Sequence, residues 1–543
     1  MKIKYYLSLL LLLMFVTKAA EAQSTWDEVY TILKTNCGTA NCHTGVENPA
    51  GKLYFDLEKE FVHLQILNQQ PQNETAKANN NRLIYEGDPY RSYIFRKLNN
   101  GFAEDVPLEA GEQDDFHNIE ISEIDKEMVR QWILYGAPTE GEVVKKTTIE
   151  EYYNGNGIKS VTEKPAAPQN GFQIHVGPYF LPAGAEQEYF YKYPLDNIFD
   201  KYEVTAFETF MGQSSHHFII MKFWNSFVAQ TKAGLRIWDR HDHATFEEVA
   251  QQNQRIELPQ GSAFEWRTNT VLDLNTHYIN FSSNSTLACD VYVNVETQAA
   301  GTAKQLMFTQ LIPDTTIYIP NKGERIEVID TFKSPVPIPK IYLWSLTSHA
   351  HKTSIDYDIY QPIPGQASNH IYDASCPGGV PGCNNTLYEY ERPPTRYFDP
   401  FLETAPANGV IHKATYINNG SKPLTWNWTS EGEMMVFVMR YLFDTTGVKI
   451  VNNPIIEVAD FIQPAINVWP NPATNKIYID MPAVSNENLT FYLTDISGRT
   501  YKQQSILSKK NVLDIEYLRS GVYLLIIVND TEEKKYHQKI VKQ

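Results

Sequence analysis

The residues in this chain best suited to chemistry are imidazoles at strand spacing. His349 and His351 lie in the run Leu343–Tyr357, whose apolar and β-branched residues read as a strand. On a strand, residues i and i+2 project from the same face. Two imidazoles so placed form a chelating pair that suits copper, zinc, iron or nickel without choosing among them. Three other places bear on the choice. His216 and His217 are adjacent at the head of an apolar run, so a regular strand sends them to opposite faces and their joint use demands a bend. His277 stands alone in the strand-like segment Asn275–Asn280. Met434, in the segment Glu433–Met439, offers a thioether, a soft donor that selects copper over zinc when combined with imidazoles. The outcome is a three-histidine set and a two-histidine-plus-methionine set.

These elements follow one another as a His-His pair (His216, His217), a single histidine before an aromatic (His277, Tyr278), a His-x-His pair (His349, His351) and a Glu-Met (Glu433, Met434). In that order the chain resembles the copper type II, ascorbate-dependent monooxygenases, the family of the peptidylglycine α-hydroxylating and dopamine β-type enzymes. The likeness spans about residues 170 to 450. It implies a pair of jelly-roll-like β-sandwiches, 169–299 and 300–459, each holding one copper ion, with the two pockets facing one another across a gap. It also implies hydroxylation of a C–H bond with dioxygen. His349, His351 and Met434 would hold the catalytic copper; His216, His217 and His277 would hold a copper that stores and passes on an electron. The reductant would be ascorbate-like or a redox protein. In the family a cysteine commonly follows the methionine and pairs with one on a neighbouring strand; here Met435 and Ala414 stand in those places, which looks like the loss of a bridge. The same double sandwich occurs in a glycan-releasing amidase without copper, so a surface protein that binds glycans or peptides, or transfers electrons, is the second reading. The substrate stays open among small molecules, peptides and glycans.

A further constellation lies near the N-terminus. Trp26, Val29, Tyr30 and Leu33 fall at helical spacing behind a capping pattern of Thr25 and Glu28, and the helix leads into Cys37, Cys42 and His43. Two thiols and an adjacent histidine are what a c-type haem needs, for its vinyl groups and its iron. The usual spacing has two residues between the cysteines; here the spacing is longer, and a Cys37–Cys42 disulfide or a zinc site are the alternatives. Ser122 and Asp125 cap a last helix that runs through Met128 and Trp132 to the stop Gly136, Ala137, Pro138. With that ending, residues 23–138 resemble the small cytochrome c-like domains fused to exported bacterial enzymes, which implies covalent haem c on Cys37, Cys42 and His43. Val106 and Pro107 occupy the place where such domains often carry Met-Pro, so the sixth iron position is left to His63, His117, Met128 or no residue. A haem there could relay electrons to copper.

At 543 residues the chain requires several cores. A formal charge of −17 argues against nucleic acid as a partner, and 33 tyrosines with 20% charged residues suit β-rich extracellular domains. Lys2 and Lys4 before the apolar stretch Tyr6–Val16, then Ala20 and Ala22, read as a signal peptide over 1–22; no later run is long enough to be a transmembrane segment. Residues 139–168 are polar with little periodicity and read as a linker. His175 reads as a structural strand histidine, and His241 with His243 as an exposed loop that imitates the chelating spacing. Cys289 reads as a buried thiol, and Cys376 with Cys383 as a short disulfide. The tail, 464–543, alternates apolar runs with turns. Asn467–Pro472, Leu493–Arg499 and Leu518–Tyr523 resemble the type A C-terminal sorting domain of the type IX secretion system of Bacteroidetes, which implies transport through the periplasm to the cell surface or beyond. The fold class is therefore mainly β: two jelly-roll-like sandwiches, preceded by a small α-helical cytochrome c-like domain and followed by a small β-sandwich.

Overall fold

A computed structural model describes residues 24–542 apart from 40–41, 45–48, 100–102, 104–105, 113–119, 196–201, 213, 224–227, 238–243, 251–252, 268, 337, 384–387, 391–392, 428–431, 452–466, 470–472, 481–488, 496–499, 507–509 and 530–534. The signal peptide, His117, the His241 and His243 pair and parts of the tail motifs therefore lie outside the described residues, as does the side chain of His216. The chain is mainly β and divides into two units, one comprising residues up to Tyr153 with Lys232–Arg236 and the other the remainder.

The first unit is helical: α1 (Thr25–Cys37), α2 (Lys59–Ile66), α3 (Glu74–Ala78), α4 (Tyr93–Asn99), α5 (Glu123–Leu134) and α6 (Lys146–Glu151). The cap of α1 sits one residue earlier than its sequence suggests. Ser24 accepts from the Asp27 backbone N–H at 3.2 Å while Asp27 accepts from the Ser24 N–H at 3.0 Å, a reciprocal box that satisfies two end donors. Ser122 caps α5 as expected, and Gly136 at φ 90° ends the run. The apolar stripes of α1 and α5 meet through Trp26 stacked on Trp132, with ring centroids 4.9 Å apart. Residues 139–168 do not form a plain linker. Ile149 of α6 is fully buried, Tyr153 donates to Glu127 of α5 at 2.8 Å, and Gly157–Lys159 pairs in parallel with Thr286–Ala288.

The second unit contains two sandwiches and the tail. In the first sandwich the long strand Thr286–Ala299 pairs with Gly171–Leu181 and Tyr202–Phe210 in one sheet. The facing sheet contains β1 (Glu186–Pro194), β2 (Ser215–Phe223) and β3 (Val271–Ile279), with β3 between the other two. Cys289 is fully buried, and His175 is held by Asp290 at 2.7 Å and stacked on Tyr292, the structural role expected of it. In the second sandwich, β4 (Ile341–Ala350) and β5 (Met435–Leu442) form the centre of one sheet, flanked by Phe308–Pro313 and Arg396–Thr404. The other sheet runs in the order Arg325–Phe332, Val410–Ile417, Ser354–Gln361, Asn369–Asp373. Cys376 and Cys383 form the expected disulfide.

β5 is apolar on both faces. Met435, Phe437 and Met439 fill the core of their own sandwich, beside Leu343, Leu346, Tyr357 and Ala414. The alternate residues Met434, Val436 and Val438 pack instead against Phe190 of β1 and Met221 of β2 in the first sandwich. Burying each such side chain contributes roughly 1.5–3 kcal/mol, so this second face ties the two sandwiches together. In the tail, a sheet of three strands and a sheet of four enclose Val468, Ile477, Phe491, Leu493, Leu513, Leu525 and Ile540.

Candidate metal centre

Three neighbouring strands of the first sandwich place a row of side chains on one face. In the pairing of β3 with β2, His277 stands opposite His217; in the pairing of β3 with β1, it stands opposite Glu188. The β2–β3 register then slips, with Tyr278 opposite Ser215, so His216 is the extra residue of a β-bulge. That bulge is the bend that use of two adjacent histidines requires. The rings of His217 and His277 are 5.0 Å apart. Ligand atoms of Glu188, His217 and His277 all lie within 4.8 Å of one another.

The partners of these groups fix their tautomers. His217 Nε2 donates to Asn275 Oδ1 at 2.8 Å, and Asn275 Nδ2 donates to Glu188 Oε1 at 2.9 Å. His277 Nε2 donates to Glu186 Oε1 at 2.9 Å. With Nε2 protonated in both rings, Nδ1 is the nitrogen carrying a lone pair. Burial alone would push the Glu188 carboxyl up, but its hydrogen bond with His217 and the neighbouring imidazoles outweigh that and hold it at about 2. Glu186 is likewise held below the ordinary range, mainly by its bond from His277.

The second sandwich brings His349 and His351 to the same place. His349 lies near the end of β4, opposite Val436 of β5, and its ring is 5.3 Å from that of His351. His351 donates Nδ1–H to the Gly432 carbonyl at 3.1 Å, which leaves Nε2 as its ligating nitrogen. Met434 follows directly from the Ala350–Met435 pair, its N–H bonded to Glu433 at 2.9 Å and its carbonyl accepting from Tyr416 at 2.8 Å. Burial, with help from His351 and His217 close by, lowers the His349 pKa well below its ordinary value; burial also lowers that of His351, against the opposing Glu433 carboxylate. Both are neutral at physiological pH, the form that binds metal.

The sets adjoin. The rings of His217 and His349 meet edge to face with centroids 6.1 Å apart, where a gap between two pockets was expected. Four of the six expected ligands, His217, His277, His349 and His351, thus gather where the two sandwiches meet; Met434 packs at the same junction with Phe190 and Met221, and the side chain of His216 lies outside the described residues. Two residues were missed. Glu188 shows its place only through strand register, although Glu186 and Glu188 repeat the i, i+2 spacing of His349 and His351. Glu433 was seen only as part of a motif; its fully buried carboxylate binds the backbone of both His351 and Met434.

In the helical unit, a cavity of about 290 Å³ is lined by Cys37, His43, Leu53, Phe55, Tyr93 and Leu98, among others, close to the lower end of the roughly 300–1,000 Å³ of small-molecule sites. Cys37 is buried, which pushes its thiol up to about 12, and Cys42 is exposed; both are unpaired thiols, so the alternative disulfide is not formed. His43 donates Nδ1–H to the Leu53 carbonyl at 3.2 Å and packs edge-on against Phe55, presenting Nε2 as its ligating nitrogen. Cys37 and His43 line the cavity with apolar neighbours and with Gln72, Asn73 and Lys97, whereas the exposed Cys42 does not line it, so one of the two thiols expected for a c-type haem faces this space. His63 is packed against Trp26 and Trp132 with Nε2 donating to the Ala137 carbonyl at 2.9 Å, and Met128 is buried in α5; neither lines the cavity.

A family model described as a secretion system C-terminal sorting domain matches residues 467–543. No curated protein matches the chain. Among solved structures, PorZ of Porphyromonas gingivalis, a surface component of its type-IX secretion system, is 16% identical over 19% of this chain and 14% of its own, with a TM-score of 0.13. The β-glucuronidase of Ruminococcus gnavus in complex with uronic isofagomine is 10% identical over 41% of this chain and 35% of its own, with a TM-score of 0.13. The chain spans less than half the length of either, and likenesses this distant carry no argument about activity. The sorting tail bears on location: it implies the type IX secretion machinery as a partner and export to the cell surface or the extracellular space. Among the described residues no helix is long and apolar enough to cross a membrane.

Proposed function

We propose that this exported protein is a copper-dependent monooxygenase that hydroxylates a C–H bond, with haem c in its helical unit. One observation carries the reading: His217, His277, His349 and His351, from three distant stretches of two sandwiches, form a continuous row of neighbouring rings through the contact of His217 with His349. His216, His217 and His277 would hold one copper ion, and His349, His351 and Met434 the other. When bound, copper supplies the dioxygen chemistry, with the thioether favouring its reduced state, and haem on Cys37, Cys42 and His43 supplies one-electron transfer.

The chain's own residues supply the rest. Burial keeps His349 and His351 neutral, so their lone pairs face a cation and not a proton. Asn275, Glu186 and the Gly432 carbonyl hold three rings in defined tautomers. Phe190, Met221, Val436 and Val438 form an apolar wall beside Met434 that excludes water from this side. Electron transfer from haem to copper extends the proposal; stopped-flow reduction tests it, since haem oxidation must keep step with turnover.

The full chain, purified after secretion and reconstituted with copper, tests the main reading. Two copper ions per chain and oxygen uptake with ascorbate are expected, with uptake abolished by Met434→Ile while about half the copper remains. A chain that binds no copper, or that binds it without consuming oxygen, favours the second reading, a surface module for glycan or peptide binding or electron transfer.

A further inference from the structure

The row on the first sandwich contains a carboxylate that no histidine pattern anticipates. Glu188, His277 and His217 are successive register partners across β1, β3 and β2. Directly opposed residues of antiparallel strands share a face, with Cβ atoms about 4.5–5.5 Å apart, so the three side chains are neighbours by construction. Their ligand atoms fall within 4.8 Å of one another, close enough for one cation to touch all three. A plainer role for Glu188 is to orient His217. The distances make Glu188 the weaker partner of that ring: His217 Nε2 is 2.8 Å from Asn275 Oδ1 and 3.5 Å from Glu188 Oε1. Asn275 is the partner that fixes this ring, and it also steers the carboxylate, through its Nδ2 at 2.9 Å from Oε1.

We propose that Glu188 is a metal ligand, forming with His217 and His277 a two-histidine, one-carboxylate set that takes a divalent transition cation. This rests on the metal reading above and changes the character of its first position. A carboxylate is a hard, anionic donor that suits the divalent state, whereas the thioether of Met434 is soft and suits Cu(I). The two adjoining positions then differ in the oxidation state each prefers, although both draw on imidazole.

The test titrates Cu(II) into the metal-free full chain and records electron paramagnetic resonance spectra. Glu188→Gln keeps the shape and the Asn275 contact while removing the anionic donor. It is expected to raise the Kd of the first-sandwich site at least ~10-fold, and to shift the copper hyperfine splitting while coupling to two imidazole nitrogens persists. An orienting role would instead leave the splitting as in wild type. His277→Ala is the reference that removes the site. An unchanged Kd and spectrum in Glu188→Gln, with the site lost in His277→Ala, overturns the proposal and leaves the metal reading standing. A wild-type chain that binds no Cu(II) overturns both. If Glu188→Gln does not give a folded chain by circular dichroism, Glu188→Asp, which retracts the same donor by one methylene, must show weakened binding or the proposal fails.

Discussion

Replacing Glu433 by glutamine isolates what one buried carboxylate does for the second sandwich. Its Oε1 accepts from the backbone N–H of His351 and, at 2.9 Å, from that of Met434. Its Oε2 accepts from the Thr353 N–H at 3.1 Å and from the Thr353 hydroxyl. Glutamine keeps one accepting oxygen and turns the other corner into a donor, so two of the four bonds lose their acceptor. Hydrogen bonds to a charged group are worth roughly 1.5–3 kcal/mol each, and part of the loss is recovered by backbone adjustment, which sets the expected destabilisation at about 3 kcal/mol. For a domain of this size that lowers Tm by roughly 6–12 °C. Because His351 and Met434 hang from the same carboxylate, affinity at that position should also fall ~10- to 100-fold. Scanning calorimetry of the metal-free chain and Cu(I) competition with a chromophoric chelator read the two effects. A Glu433→Gln chain that melts like wild type and competes equally for Cu(I) would refute the idea that this carboxylate positions the pair.

Burial holds the His412 pKa below its ordinary value even though Asp330 opposes the shift. The unfolded chain therefore takes up the extra proton, and stability that is full above about pH 6.5 should decline as pH falls toward the folded value. His412→Gln should flatten that slope in urea titrations between pH 5 and 8, and equal slopes would count against the assignment. In cells that mature c-type cytochromes, the secreted chain should gain the mass of one haem and lose it in a Cys37→Ser, Cys42→Ser double variant; a wild type without the gain refutes covalent attachment. Cys383→Ser removes a disulfide closing a short loop, seven positions in separation, and should destabilise the second sandwich by about 2–3 kcal/mol in chemical denaturation. An unchanged midpoint would show that the loop is ordered without it.

Order along the chain is what singled out the histidines and Met434 in the sequence, and the structure brings His217, His277, His349 and His351 together. His216 was the one whose use required an irregularity, and the register slip at Tyr278 supplies it. Glu188 was not legible: its meaning depends on which strand lies beside β3, a long-range pairing that no local pattern encodes. The closeness of His217 to His349 was hidden for the same reason, since it depends on how one sandwich packs on the other. The linker over 139–168 was misread because α6 is too short to show periodicity and buries only Ile149. The cap of α1 slipped by one residue because Thr25 imitates the Ser24 signal. The helical stop at Gly136 and the disulfide were read correctly, since both depend on residues close in sequence.

The two-sided apolarity of β5 has an evolutionary corollary. A gene fragment encoding either sandwich by itself would yield a product with an uncovered greasy flank, prone to clump in the periplasm before export. Recombination that swapped one lobe would have to supply a matching Phe190 and Met221 surface or a matching Met434, Val436 and Val438 strand. The lobes should therefore be inherited together, with changes on one flank answered by changes on the other.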